Sequence, residues 1–296
     1  MRLLITDLDN TLYDWVSYFA LSFRAMVREL SLLLAVDEET LKDEFKAVHQ
    51  LHGSSEYPFA LLELPSVRAH FKSASRSEIF HHLRKPLDAF NESRNQHLTP
   101  YPSVFETLQH VRRLNIPVVG HTESIAELAL HRLQILGIFP FFTHLYALDG
   151  SLEPHPNPRR ETETFGPRPS LVTCVPREER KPNPTLLRDI CSKEGVPVNE
   201  TVYVGDSLTR DVGMAKNAGV TAVWARYGTR YPSALWAEIV RVTHWIDEDV
   251  RREAALRELY GKIRPDLTID SFSEIINLFE YTKSESPRDL ATVMPV

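Results

Sequence analysis

The sequence predicts an α/β protein, a Rossmann-like parallel sheet with helices on both faces, interrupted near its start by an all-helical insertion. Three observations carry this. Short apolar runs ending on polar residues recur at Leu3–Ile5 and within "IPVVGHTES", "HLYALDG", "TVYVGDS" and "TAVWARYG". Runs of that length suit strands covered on both faces. Helical patterns lie between most of them, and strand–helix–strand alternation implies parallel pairing. From Trp15 to about Leu98, by contrast, apolar residues keep a helical period and no clear strand intervenes.

Taken in order, "ITDLDNTLYD" ends the first strand on a ladder of carboxylates, Asp7, Asp9 and Asp14. Trp15, Tyr18, Phe19, Phe23, Met26, Val27 and Leu30 then form one helical stripe. A second helix starts on Asp37 as N-cap, carries Leu41, Phe45 and Val48, and stops near Gly53. A third covers "SEIFHHLRKPLDAF", with a break at Pro86. Ser103 to Glu106 spell a capping box ahead of Leu108, Val111 and Leu114, and Asn115 closes that helix. "PNPTLLRDICSKEG" has Pro near its start, Leu187, Ile190 and Cys191 on one face and Gly195 past its end. The expected division is a core of residues 1–14 and 99–296 with a helical cap of 15–98. An insertion directly after the first strand sits over the carboxyl ends of the strands, where such sheets bind ligands, and reads as a lid. Within the core, about 149–180, opening with "DGSLEPHPNPRRETETFGPRPS", reads as an irregular surface excursion. About 233–262 reads as a long helical tract.

Composition narrows the function. Of 296 residues, 43% are hydrophobic, enough for a sizeable core, and 34 basic against 40 acidic residues give a net charge of −6. No broad cationic field is available for a nucleic acid polymer or an anionic membrane, so the expected partner is a small molecule at a local site. Two cysteines, Cys174 and Cys191, make no disulfide framework, and acids stand where a signal peptide needs an apolar segment. Apolar patches such as "LSLLLAV" are far shorter than the roughly 20 residues of a membrane span. A cytoplasmic location is the expectation; the oligomeric state, monomer or homodimer, is left open.

The chemistry-bearing residues fall at strand ends. Asp7 and Asp9, two apart, can point to one side, subject to how the chain turns, with Thr11 following. "VYVGDSLTRD" places Asp206 and Asp211 at another strand end after Gly205, adding hard oxygen ligands of the kind magnesium takes. Asp211 has an alternative reading as the N-cap of the following helix. Thr122 in "VVGHTES" offers a hydroxyl and succeeding amides to a phosphate at a helix start. Lys181 precedes "PNPTLL"; alone, a lysine is most often a solvated charge.

In this order, "DLDNTL", Thr122, Lys181 in "RKPNP" and "GDSLTRD" resemble the four motifs of the haloacid dehalogenase (HAD) superfamily, in its phosphatase branch with a helical C1-type cap. The closing segments "KNAGVTAVWARYG" and "RPDLTIDSFSEI" resemble the end of that core. The resemblance implies a magnesium-dependent phosphohydrolase working through an aspartyl-phosphate. Asp7 is then the nucleophile and Asp9 the general acid and base. Mg2+ is held by the Asp7 and Asp206 side chains and the Asp9 carbonyl, with Asp211 as ligand or anchor. The phosphoryl group is held by Leu8, Asp9, Thr122, Glu123 and Lys181. An acid at Asp9 favours a phosphoester or phosphoanhydride over a halide. Glu123 departs from the family's pattern, since a carboxylate facing a phosphate is repulsive, and its side chain is expected to point away. "DLDNTLY" also fits members acting on nucleoside monophosphates, so a nucleotidase is among the readings. The alternatives are a phosphosugar mutase and a non-catalytic phosphate-binding regulatory module. His49, His52, Arg68, His70, Lys72, Arg76, His81, His82, Arg84 and Lys85 of the cap, and Arg159, Arg160 and Arg168 of the excursion, are the cations from which substrate contacts would come.

Overall fold

The sheet forms around the first strand. The computed structural model describes residues 1–57, 59–150 and 169–280. Its seven strands are β1 (Leu3–Thr6), β2 (Val118–Ile125), β3 (His144–Leu148), β4 (Val172–Val175), β5 (Thr201–Gly205), β6 (Thr221–Ala225) and β7 (Leu267–Ile269). They run in the order β4-β3-β2-β1-β5-β6-β7, and all pairs are parallel. β1 lies between β2 and β5, with Leu4 opposite Val118 and Ile5 opposite Tyr203. The strand order reverses at β1, so the crevice beyond its carboxyl end is the topological switch point.

Leu3, Leu4 and Ile5 are wholly buried, as their run predicts. Because side chains alternate, Leu4 joins Val118, Val202 and Val223 on one face. Leu3 and Ile5 join Val119, Tyr203, Leu187 and Ile190 on the other. Each fully buried aliphatic side chain contributes about 1.5–3 kcal/mol, so both layers are well driven.

Between β1 and the first core helix lie six helices, α1 (Trp15–Leu34), α2 (Glu38–His52), α3 (Ala60–Glu63), α4 (Pro65–His70), α5 (Arg76–His82) and α6 (Arg84–His97). Asp14 caps α1 by accepting from the Ser17 amide at 2.8 Å. Asp37 caps α2 by accepting from Thr40 at 2.9 Å, and Gly53 ends it in the left-handed region at φ +60°. Trp15 stacks on Phe19 with centroids 5.0 Å apart, and the apolar stripe of α1 packs along α6.

Three local expectations need correction. The break in "SEIFHHLRKPLDAF" falls at Leu83, between α5 and α6; Pro86 sits in the first turn of α6, where its missing N–H costs nothing. Ser103 takes φ +70° and does not cap α7 (Val104–Arg113); its hydroxyl instead lies 3.0 Å from that of Ser271. The excursion expected at about 149–180 contains β4, an edge strand; residues 151–168, with Arg159, Arg160 and Arg168, lie outside the described residues. Among the described residues no helix is long and apolar enough to cross a membrane.

The tract at 233–262 is two helices, Ser233–Arg241 and Asp247–Tyr260, and its chain crosses onto the cap. Arg24 of α1 pairs with Glu238 at 2.5 Å and Arg241 with Asp43 of α2 at 2.7 Å. Buried His49 donates from Nδ1 to the Val242 carbonyl at 2.7 Å, and His244 Nδ1 lies 2.9 Å from the Ser55 hydroxyl. Burial pushes both imidazoles down to about 4, the Val242 hydrogen bond opposing this at His49 and Asp249 opposing it at His244. Between about pH 6.5 and 4 the unfolded chain therefore binds more protons than the folded one. The contribution of the neutral rings is whole above pH 6.5 and is lost as pH falls toward 4. From pH 7 to 4.5 the Tm is expected to drop by roughly 5 °C or more, and by less in the double variant His49→Gln, His244→Gln. Equal drops in the two proteins would show that other groups govern the acid limb.

Candidate active site

Four strand ends converge beyond β1. Asp7 follows Thr6 directly; its amide donates to the Val204 carbonyl at 2.8 Å, which carries the β1–β5 ladder one step past the strand. Its carboxylate is 7% exposed, with Oδ1 accepting from Lys181 Nζ at 2.6 Å and Oδ2 from the Thr11 hydroxyl at 3.1 Å. Lys181, 3% exposed, donates equally to Asp211 Oδ1 at 2.8 Å. Asp211 also accepts from the Tyr203 hydroxyl at 3.2 Å and the Ser207 amide at 3.0 Å. It lies in a π-helical turn, Leu208–Val212, whose N-cap is Ser207, so the alternative of Asp211 as a helix cap is excluded. Gly205 is required here, since a Cβ would collide with the Asp211 carboxylate. Gly228 plays the same part across the crevice, where a Cβ would strike the Asn10 backbone and crowd Asp206.

Carboxylate oxygens of Asp7, Asp206 and Asp211 lie within 4.8 Å of one another. Burial, with Lys181 opposing and the neighbouring aspartates assisting, pushes Asp7 up to about 7. Burial and then Asp7 and Asp211 push Asp206 well above the usual carboxylate range. Burial lowers the Lys181 ammonium, but Asp211 and Asp7 more than reverse this and leave it well above its ordinary value. Three hard carboxylates against one ammonium leave the cluster short of positive charge. Its donor set fits a divalent cation such as Mg2+.

Asp9 faces elsewhere. Its Oδ1 accepts from the Tyr13 hydroxyl at 2.7 Å and its Oδ2 from the Ser124 hydroxyl at 2.6 Å. Arg132, from α8 (Ala126–Ile135), is 3% exposed and stands 3.5 Å from Asp9 Oδ1. It donates to Ser124 at 2.5 Å, to Tyr18 of α1 at 2.8 Å and to Glu56 of the α2–α3 connection at 2.6 Å. Arg132 thus ties the neighbourhood of Asp9 to the helical insertion. Sequence reading missed it, although a signal existed: Arg132 lies three after Ala129 on a stripe that buries Ala126, Ala129 and Leu133.

Thr122 is buried inside β2, which continues to Ile125, and is not beyond the strand as expected. Its hydroxyl accepts from the Ser124 amide at 3.1 Å. The Glu123 side chain points away from the aspartates to Arg210 at 2.9 Å, and Arg210 also pairs with Glu253 at 3.1 Å, so its charge is matched locally. Leu8 is buried, and its carbonyl accepts from the Thr11 and Leu12 amides at 3.2 and 2.8 Å. Helix Asp247–Tyr260 braces the site: Arg252 donates to the Lys181 carbonyl at 2.9 Å. Of the cap cations, His49, His52, Arg84 and Lys85 are engaged with Val242, Glu63, Asp88 and Glu29 rather than with the aspartates.

A carboxylate cluster around one lysine, at the switch point of a parallel sheet with a helical cover after β1, defines a class. Residues 1–219 match the haloacid dehalogenase-like hydrolase family and residues 179–275 a HAD-hydrolase-like family, so the chain belongs to the HAD-like hydrolases. Within that family it is an enzyme of the phosphatase type. It is 25% identical over 231 residues to a glyceraldehyde 3-phosphate phosphatase of Methanopyrus kandleri, covering 77% of this chain and 85% of that one. It is 26% identical over 232 residues to a phosphoglycolate phosphatase of Vibrio parahaemolyticus, again covering 77% and 85%. The fold matches a 2-haloacid dehalogenase of Pseudomonas syringae at a TM-score of 0.55 and 16% identity, over 95% of this chain and all of that one. It also matches a HAD-hydrolase of Bacillus subtilis bound to magnesium at 0.50 and 14% identity, over 94% and 98%.

Proposed function

We propose that this protein removes the phosphoryl group from a small phosphorylated metabolite, with Asp7 as nucleophile. The observation that carries the reading is the buried Asp7–Lys181–Asp211 cluster beside Asp206. An Asp7 carboxylate oxygen attacks phosphorus, the bond to the leaving oxygen breaks, and Asp9 supplies the proton that oxygen needs. Asp9, now basic, takes a proton from water; the water oxygen attacks the phosphorus, and Asp7 is released with inorganic phosphate. Lys181 holds negative charge on the transferring group, joined by the Thr122 hydroxyl and the amides of Leu8, Asp9 and Glu123.

Asp7, Asp206 and Asp211, with the Asp9 carbonyl, would hold Mg2+. When bound, that ion neutralises the crowded carboxylates and the phosphate and polarises the phosphoryl oxygens. The magnesium-bound relative supports this choice of ion. We further propose residues 15–98 as the cap unit and 1–14 with 99–296 as the core. The named activities of the relatives, on glyceraldehyde 3-phosphate and phosphoglycolate, favour a short phosphoester over a nucleotide.

Purified protein with magnesium is expected to release phosphate from at least one of acetyl phosphate, phosphoglycolate and glyceraldehyde 3-phosphate. Chelation is expected to lower that rate by about 100-fold or more, reversibly. No release from any compound, with magnesium present, would sink the hydrolase reading and favour a binding module.

A further inference from the structure

A cavity of about 150 Å3 lies where the helical insertion meets α8. Phe19, Phe23 and Phe90 supply part of its apolar wall, and Arg132 and Glu56 its border toward Asp9. One cation at its edge is unmatched. Arg94 of α6 donates from Nη2 only to the Asn95 side chain at 3.3 Å, its Nε is buried without a hydrogen-bond partner, and among the described residues no carboxylate pairs with it. The other guanidinium there is taken: Arg132 stands between Glu56 at 2.6 Å and Asp9 at 3.5 Å and has no charge to spare for a ligand. The imidazoles of His49 and His131 are both held toward their neutral forms by burial. A half-buried guanidinium at the edge of an aromatic cavity is a place for one anion.

We propose that this cavity receives the leaving-group end of the substrate, and that Arg94 binds a carboxylate carried there on a compact apolar body. The inference rests on the phosphatase reading above and names its substrate class. Direction follows from Arg132, which lines the cavity and also stands against Asp9, the residue that protonates the leaving oxygen. Size follows from the volume, since an apolar cavity of about 150 Å3 holds one benzene-sized group. A ribose with its base overfills it, so the same geometry disfavours nucleotides.

The test compares 4-carboxyphenyl phosphate with phenyl phosphate in the magnesium-loaded full chain, using wild type, Arg94→Met and Arg94→Lys. Wild type is expected to prefer the carboxylated ester by about tenfold or more in kcat/KM, carried mainly by KM. Arg94→Met is expected to erase that preference and Arg94→Lys to restore part of it. A preference unchanged in Arg94→Met, or absent in wild type, overturns the inference. Calorimetric titration with 4-hydroxybenzoate against phenol gives a readout free of turnover: wild type should bind the acid at least about tenfold more tightly, and Arg94→Met should not. Equal affinities would overturn the carboxylate assignment even in an active enzyme. Release of phosphate by wild type from any of acetyl phosphate, phosphoglycolate and glyceraldehyde 3-phosphate separates the two failures: with none the phosphatase reading falls, and with one or more only the subsite does.

Discussion

Asp7→Asn is expected to abolish phosphate release, lowering kcat by on the order of 10⁴-fold or more, while leaving the protein folded. The amide keeps the shape and can still accept from Lys181, but it is a poor nucleophile toward phosphorus. Stability is expected to move the other way. Asp7 is pushed up to about 7 by burial, with Asp211 and Asp9 adding repulsion against the pull of Lys181. In metal-free protein at neutral pH, a neutral side chain relieves that repulsion, and Lys181 keeps Asp211 at 2.8 Å. The Tm of Asp7→Asn without magnesium should therefore equal or exceed that of wild type. Added magnesium should raise the Tm of wild type more than that of the variant, because the variant has lost a charged ligand. Retention of more than a tenth of the wild-type rate would remove Asp7 from the nucleophile's role.

The strand-end carboxylates were legible because they follow uninterrupted apolar runs, and the caps at Asp37 and Gly53 because local chemistry alone sets them. What stayed hidden depends on partners distant in sequence. Ser103 spells a cap, yet tertiary contacts with Ser271 and Ser273 take its hydroxyl. β4 is four residues long, lies at the sheet edge and follows a Pro-rich stretch, so neither length nor alternation marks it. The pairing of Glu123 with Arg210, 87 positions away, answers the repulsion that the sequence raised. The 233–262 tract reads as one long helical stretch, and folding divides it into two helices and lays the first, with the connection after it, against α1 and α2.

Arg132→Met is expected to be the most destabilising single change outside the hydrophobic core, costing about 3–5 kcal/mol. The guanidinium is 3% exposed and lies among two carboxylates and two hydroxyls. Removing it leaves Glu56 and Asp9 without their cation in a low-dielectric setting, and that penalty exceeds what the pair itself contributes. Burial already pushes Glu56 upward while Arg132 draws it down, so loss of Arg132 should drive Glu56 to protonate. Replacing both partners separates the mechanisms. In Arg132→Met with Glu56→Gln one of the two stranded charges is gone and Asp9 keeps the other, and thermal or urea unfolding should show the double variant more stable than Arg132→Met alone, a coupling on the order of 1–3 kcal/mol. Additive losses would mean that Arg132 acts chiefly by filling space between α8 and the insertion. Because Ser124 holds Asp9 and Arg132 holds Ser124, the double variant should still turn over substrate more slowly than wild type despite recovering stability. A double variant with full activity would show that Asp9 keeps its place without Arg132.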